Sequence, residues 1–198
     1  MNRTATDSVG GTAQETVHEI PVRAATAEAL APYGVLLGSD CGVEPLPIDF
    51  YGGTVDVRKP GAFRCDSAVD VTVCRLQPRP LELEYLERHP CHTQAFIPLS
   101  GRPFLAVFAP ATVDNALPAL DALQAFRFDG SAGFMMFENV WHEFPLAEEP
   151  DTDVIVLLST ATTDALHADN TVEGEAVGAD LEKRNVRHRY GVRLRLAA

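Results

Sequence analysis

Between Leu86 and Gly101 the sequence reads LERHPCHTQAFIPLSG, where Glu87, His89, Cys91, His92 and Gln94 set a carboxylate, two imidazoles, a thiol and an amide against an apolar run. Such a set can move protons or ligate a metal, because imidazole titrates near neutrality and serves in both tasks. Alternate residues of an extended strand share a face, so Glu87 and His89 point one way and Arg88 the other. Pro90 then removes a ladder donor and predicts a strand break. Cys91 beside His92 invites a nucleophilic reading, but strand neighbours face opposite ways and no third orienting group is evident, so His92 is read as structural. A lone later histidine, His142, follows in NVWHEFPL.

The elements that must position these groups are short and rich in β-formers. GVLLG, GGTVDV, VDVTVCRL, QAFIPL, FLAVFAP, FRF, GFMMF and DVIVLL are separated by Gly, Pro and Asp turns, the pattern of an all-β sandwich or barrel. Val69, Val71 and Val73 alternate with Asp70, Thr72 and Cys74, which predicts a half-buried strand. In ATAEALAPYG, Thr26 is placed to cap a short N-terminal helix that Pro32 and Gly34 close. Residues 1–17 read as a loose leader, 18–160 as the folded domain, and 161–198 as a polar tail ending in an alternating edge strand with a basic outer face.

A chain of 198 residues fits one medium domain, and its net charge of −12 argues against nucleic acid or an anionic membrane surface as partner. The sequence shows neither an apolar membrane span nor a signal-peptide core, which predicts a cytoplasmic protein. Cys41, Cys65, Cys74 and Cys91 form no Cys-x-x-Cys pair, so free thiols are expected. No dinucleotide-binding, P-loop or nucleophile-elbow motif is present.

Glu87, His89, Gln94 and Gly101 occupy the places of the first cupin motif, with Glu for its first histidine and Gln for its glutamate, and His142 resembles the histidine of the second. More narrowly, LERHPCHTQAFIPLSGRPFLAVFAP with NVWHEFPL resembles the ureidoglycolate lyase family, with weaker echoes in VRAATAEALAPYGVLL and IDFYGG, over residues 20–160. The resemblance implies a cupin-type double-stranded β-helix, or jelly-roll, barrel. It also implies a carbon–nitrogen lyase that cleaves ureidoglycolate to glyoxylate and urea in allantoin and purine breakdown. The chain departs from the family pattern at Cys91 and His92, after His-Pro, and at Glu143, where a second histidine is usual.

On that resemblance His89 and His142 are the proton-transfer pair, Glu87 orients one of them, and Gln94 hydrogen-bonds the substrate. A guanidinium matches the substrate carboxylate, which makes Arg58 the first choice and Lys59 the second, with Trp141 as a pocket wall. Glu87, His89, Gln94 and His142 also match the cupin metal positions. Two imidazoles and a carboxylate suit a divalent transition ion, although the amide of Gln94 is a poor fourth ligand. Open barrel edges and the alternating tail predict a homodimer. Two alternatives stand: a divergent cupin enzyme acting on another small carboxylate, and a non-catalytic cupin that binds a small ligand.

Overall fold

A computed structural model describes residues 16–113, 116–168 and 174–197; most of the expected leader lies outside them. In chain order the strands are β1 (Val17–Ala24), β2 (Gly34–Leu37), β3 (Val69–Leu76), β4 (Glu82–Leu83), β5 (Tyr85–Arg88), β6 (Gln94–Pro98), β7 (Phe104–Ala109), β8 (Gln124–Phe128), β9 (Gly133–Met136), β10 (Trp141–His142), β11 (Leu146–Ala147), β12 (Thr152–Ser159), β13 (Ala176–Val177), β14 (Glu182–Asn185) and β15 (Arg193–Ala197). The helices are α1 (Ala27–Leu30), α2 (Thr160–Ala168) and α3 (Val186–Tyr190). Among the described residues no helix is long and apolar enough to cross a membrane.

A ten-stranded sheet runs β13-β14-β5-β10-β7-β8-β1-β15-β4 with β11 on β7, and a five-stranded sheet runs β2-β9-β6-β12-β3. Phe104, Phe108, Phe126 and Phe128 of the larger sheet meet Phe96, Phe134, Val154 and Val156 of the smaller, forming the core of a cupin-type barrel. Strand β7, FLAVFA, is buried on both faces, which is why its sequence is uninterruptedly apolar. Phe104 and Phe108 point between the sheets, whereas Leu105 and Val107 join a second core with Leu86, Trp141, Val186 and Leu194 on the far side. Helix α1 forms where the sequence places it: the Thr26 hydroxyl accepts from the Ala29 N–H at 3.2 Å.

Two expectations, the GGTVDV strand and the polar tail, are corrected, and the half-buried strand at Val69–Leu76 is present with its orientation now given. GGTVDV is no strand; it makes only the bridge Phe50 to Val55, because Tyr51, Gly52 and Gly53 all take positive φ (52°, 69° and 81°) and turn the chain. Strand β3 forms, but its valines face outward, 41 %, 68 % and 66 % exposed, while Thr72 and Cys74 turn toward a cavity. The tail is woven into the larger sheet. Strand β14 pairs with β5, and β15 lies between β1 and β4 instead of at an edge. Charged residues go inside because they are paired: Glu182, Lys183 and Arg184 are buried, with Arg88 donating to Glu182 at 2.7 Å and Arg184 ion-paired to it at 2.8 Å.

Candidate active site

Strand β5 carries Glu87 between two neighbours, His142 of β10 on one side and Lys183 of β14 on the other. Strand parity turns His142 toward the cavity and sends Trp141 to the opposite core, where its indole N–H donates to Thr112 Oγ1 at 2.8 Å. His89 lies just beyond the end of β5, at the break before Pro90. Its carbonyl accepts from the N–H of Asn139, whose left-handed φ of 63° turns the chain into β10. One main-chain hydrogen bond of 2.9 Å thus joins the two sequence motifs.

Hydrogen bonds fix the ring orientations. His89 Nδ1 lies 3.0 Å from the Asp180 carbonyl, and His142 Nδ1 lies 3.0 Å from the Val140 carbonyl. A carbonyl only accepts, so each Nδ1 carries the proton and each Nε2 presents a lone pair. Both lone pairs face Glu87: Oε1 is 3.5 Å from His142 Nε2 and 3.9 Å from His89 Nε2. Neither Nε2 has a hydrogen-bond partner, nor does Gln94 Oε1 nearby on the cavity wall. Buried acceptors without a donor are costly. A cluster of three therefore calls for a shared proton or a cation. Glu87, His89 and His142 together suit a divalent transition ion, since one ligand atom from each lies within 4.8 Å of the others.

The electrostatics follow from burial and charge. Burial pushes the Glu87 carboxyl up, but a proton shared with His142, together with positive charge at His142, His89 and Lys183, outweighs it and lowers the pKa to about 2. Burial and the neighbouring His142 bring His89 down to about 4. Glu143, also on the cavity, is pushed up to about 7 by burial, against the pull of Arg79, whose Nη2 donates to it at 3.2 Å. Cys91 is raised as well, by burial first, and its thiol donates to the Ala179 carbonyl at 3.3 Å. A neutral, engaged thiol is no nucleophile. All four cysteines are free.

The cavity is about 460 Å³, and Glu87, Gln94, His142, Glu143 and Lys183 supply its principal polar lining. His89 stands one layer behind. Arg58 and Lys59 do not line it: Arg58 is ion-paired to Asp56 at 2.7 Å, and Lys59 is exposed. A larger cavity of about 550 Å³ lies beside β1 and β8, but its arginines are engaged, Arg23 with Gln124 and Arg127 with Glu148, each at 2.7 Å, and it holds no histidine. We therefore assign the chemistry to the smaller one. The cation that sequence reasoning missed is Lys183, Nζ of which lies 4.5 Å from the Tyr85 ring centre. The available signal was charge complementarity: Glu87-Arg88 and Glu182-Lys183 match pairwise when run antiparallel.

A model of the ureidoglycolate lyase family matches residues 17–190, well past the residue-160 limit expected from the motifs. A ureidoglycolate lyase of Brucella anthropi is 35 % identical over 147 residues, covering 71 % of this chain and 83 % of that protein. One from Pseudomonas syringae pv. syringae is 34 % identical over 137 residues, covering 67 % and 78 %. A third, from Pseudomonas putida strain W619, is 35 % identical over 137 residues, covering 67 % and 79 %. The matched span holds β5, the late histidine and the strand that brings Lys183, so likeness and geometry fall on the same residues: the chain belongs to the ureidoglycolate lyase family.

Proposed function

We propose that the protein is a carbon–nitrogen lyase that cleaves ureidoglycolate to glyoxylate and urea, a step of allantoin and purine breakdown. The observation that carries this reading is the convergence of Glu87, His89 and His142 beside a cavity that also holds Lys183, in a chain of this family. The reaction moves one proton from the substrate hydroxyl to the departing ureido nitrogen while the C–N bond breaks and the C=O bond forms. His142 Nε2, on the cavity wall, takes the hydroxyl proton, Glu87 holds the resulting imidazolium, and the same proton passes to the leaving nitrogen. His89 completes the proton-transfer pair from behind, sharing the Glu87 carboxylate. Lys183 receives the substrate carboxylate, and Gln94 hydrogen-bonds the ureido group.

A divalent cation, when bound, would be held by Glu87, His89 and His142 with Gln94 Oε1, and would polarise the hydroxyl oxygen. Four free cysteines suit a reducing cytoplasm. Copies of the chain pair as a homodimer along β3, which pairs with β12 on one side, ends its sheet on the other among the described strands, and carries three exposed valines.

The test is a substrate comparison. Ureidoglycolate and a hydroxy acid lacking the ureido group are offered to the purified protein, before and after chelation and with Mn²⁺ or Zn²⁺ restored. Glyoxylate and urea from ureidoglycolate alone support the reading, and loss and recovery with the ion assign the imidazoles to ligation. Turnover of a different carboxylate only, or binding without turnover, overturns it.

A further inference from the structure

Behind the site lies a second buried cluster, His92, Asp180, Ser159 and Thr162, which the proposed chemistry does not use. Asp180 is its hub. The carboxylate accepts from the Cys91 N–H at 3.1 Å, from His92 Nδ1 at 3.0 Å, from the Thr162 hydroxyl at 3.4 Å and from the Ser159 hydroxyl. The carbonyl of the same residue accepts from His89 Nδ1 and again from Thr162, both at 3.0 Å. A single residue thus grips the 89–92 segment through three donors and ties it to β12 and α2. Burial works against its ionisation, but the Ser159 and His92 hydrogen bonds prevail and the pKa is lowered.

The two ends of Asp180 act on one imidazole. The carbonyl sets the His89 tautomer, and the carboxylate holds the His92 ring, whose centre is 4.5 Å from that of His89. On its other side His89 meets His142, ring centres 5.2 Å apart. With its Nδ1 bonded and its ring flanked, His89 has one orientation left, the one that aims Nε2 at Glu87.

We propose that Asp180 is the positioning residue of the site: through its carbonyl and through His92 it fixes the tautomer and ring orientation of His89, a task given to a residue about 90 positions along the chain. Cys91 and His92, which the proposed chemistry does not use, thereby gain a role as Asp180's handles. The proposal rests on the functional reading for the importance of His89, but not for its geometry. Outer partners of this kind are worth about 10- to 100-fold in activity when removed.

The experiment is ring-nitrogen NMR on the whole protein labelled at histidine, with signals assigned through His89→Gln and His92→Gln, beside kinetics of Asp180→Ala and Asp180→Asn. In the unsubstituted protein His89 should appear as a single tautomer protonated at Nδ1, and His92 should carry a proton on Nδ1 toward the Asp180 carboxylate. Asp180→Ala, which keeps the main-chain carbonyl and removes the carboxylate, should free the His92 ring, broaden the His89 ring signals and lower kcat about 10- to 100-fold with KM within about twofold, and Asp180→Asn, which keeps a side-chain acceptor, should recover most of these changes. An Nε2-protonated His89 in the unsubstituted protein overturns the proposal even if Asp180→Ala does not fold. So does a folded Asp180→Ala with unchanged ring signals and kcat. Should ureidoglycolate prove not to be the substrate, the NMR arm still decides the geometry.

Discussion

The Nε2 lone pairs of His89 and His142 both face the Glu87 carboxylate and neither ring nitrogen has a hydrogen-bond partner, so at the scale of single residues the site is organised to receive a proton or a cation. The matching positive group on the cavity wall is Lys183, and the account assigns it the substrate carboxylate. Lys183→Met should raise KM by about tenfold or more, the value of one lost charge-assisted hydrogen bond, with a smaller change in kcat, as read by steady-state kinetics. An unchanged KM would return the role to another cation. Glu87, Gln94 and His142, all on the cavity, were legible through the resemblance to the family's motifs, while strand spacing alone paired only Glu87 with His89. Trp141 was not: proximity in sequence to His142 suggested the pocket, and the strand's alternation placed it in the other core.

Among the elements, β14 decides whether the site is complete, since it brings Lys183 and rests on a buried ion pair between Arg88 and Glu182, 6 % and 5 % exposed at the side chain. Glu182→Ala strands the Arg88 charge and should cost about 3–5 kcal/mol in denaturant unfolding. The neighbouring α3 is tied by Arg189 to Glu175, whose carboxyl that arginine's hydrogen bond lowers from its ordinary 4.5 to about 2. A depressed folded-state pKa gives stability that is present above about 4.5 and fades as pH falls toward about 2. Glu175→Gln should therefore be less stable than the unsubstituted chain near pH 6, with the gap closing by about pH 2 in urea titrations. These elements were the part the sequence hid. LEKRN reads as a solvated tail because hydropathy counts each charge as exposed, whereas here every one is paired or stacked. Strand β3 is the half-buried strand its alternation predicts, and the structure adds which face is which, since Thr72 and Cys74 line the cavity and the valines face out. By contrast β7, β9 and β12 were readable from apolar runs alone, and α1 from its cap.

For the whole molecule, two sheets close on a phenylalanine-rich core, and the C-terminal strands complete the larger one, so the segment read as an appendage shapes the barrel. The outward valine row on β3 leaves an apolar edge that a second copy would cover. Light scattering should report a dimer, and Val71→Lys should shift it to monomer while leaving the melting temperature of each chain nearly unchanged; a monomeric parent removes the pairing claim. The central claim, that Glu87, His89 and His142 cleave ureidoglycolate, is tested most directly by glyoxylate release, corrected for the spontaneous rate, from the unsubstituted protein and from His142→Ala side by side. The account predicts clear turnover by the first and a loss of at least about 100-fold in the second, with both chains folded. Equal rates in the two, or none above background in either, would contradict it.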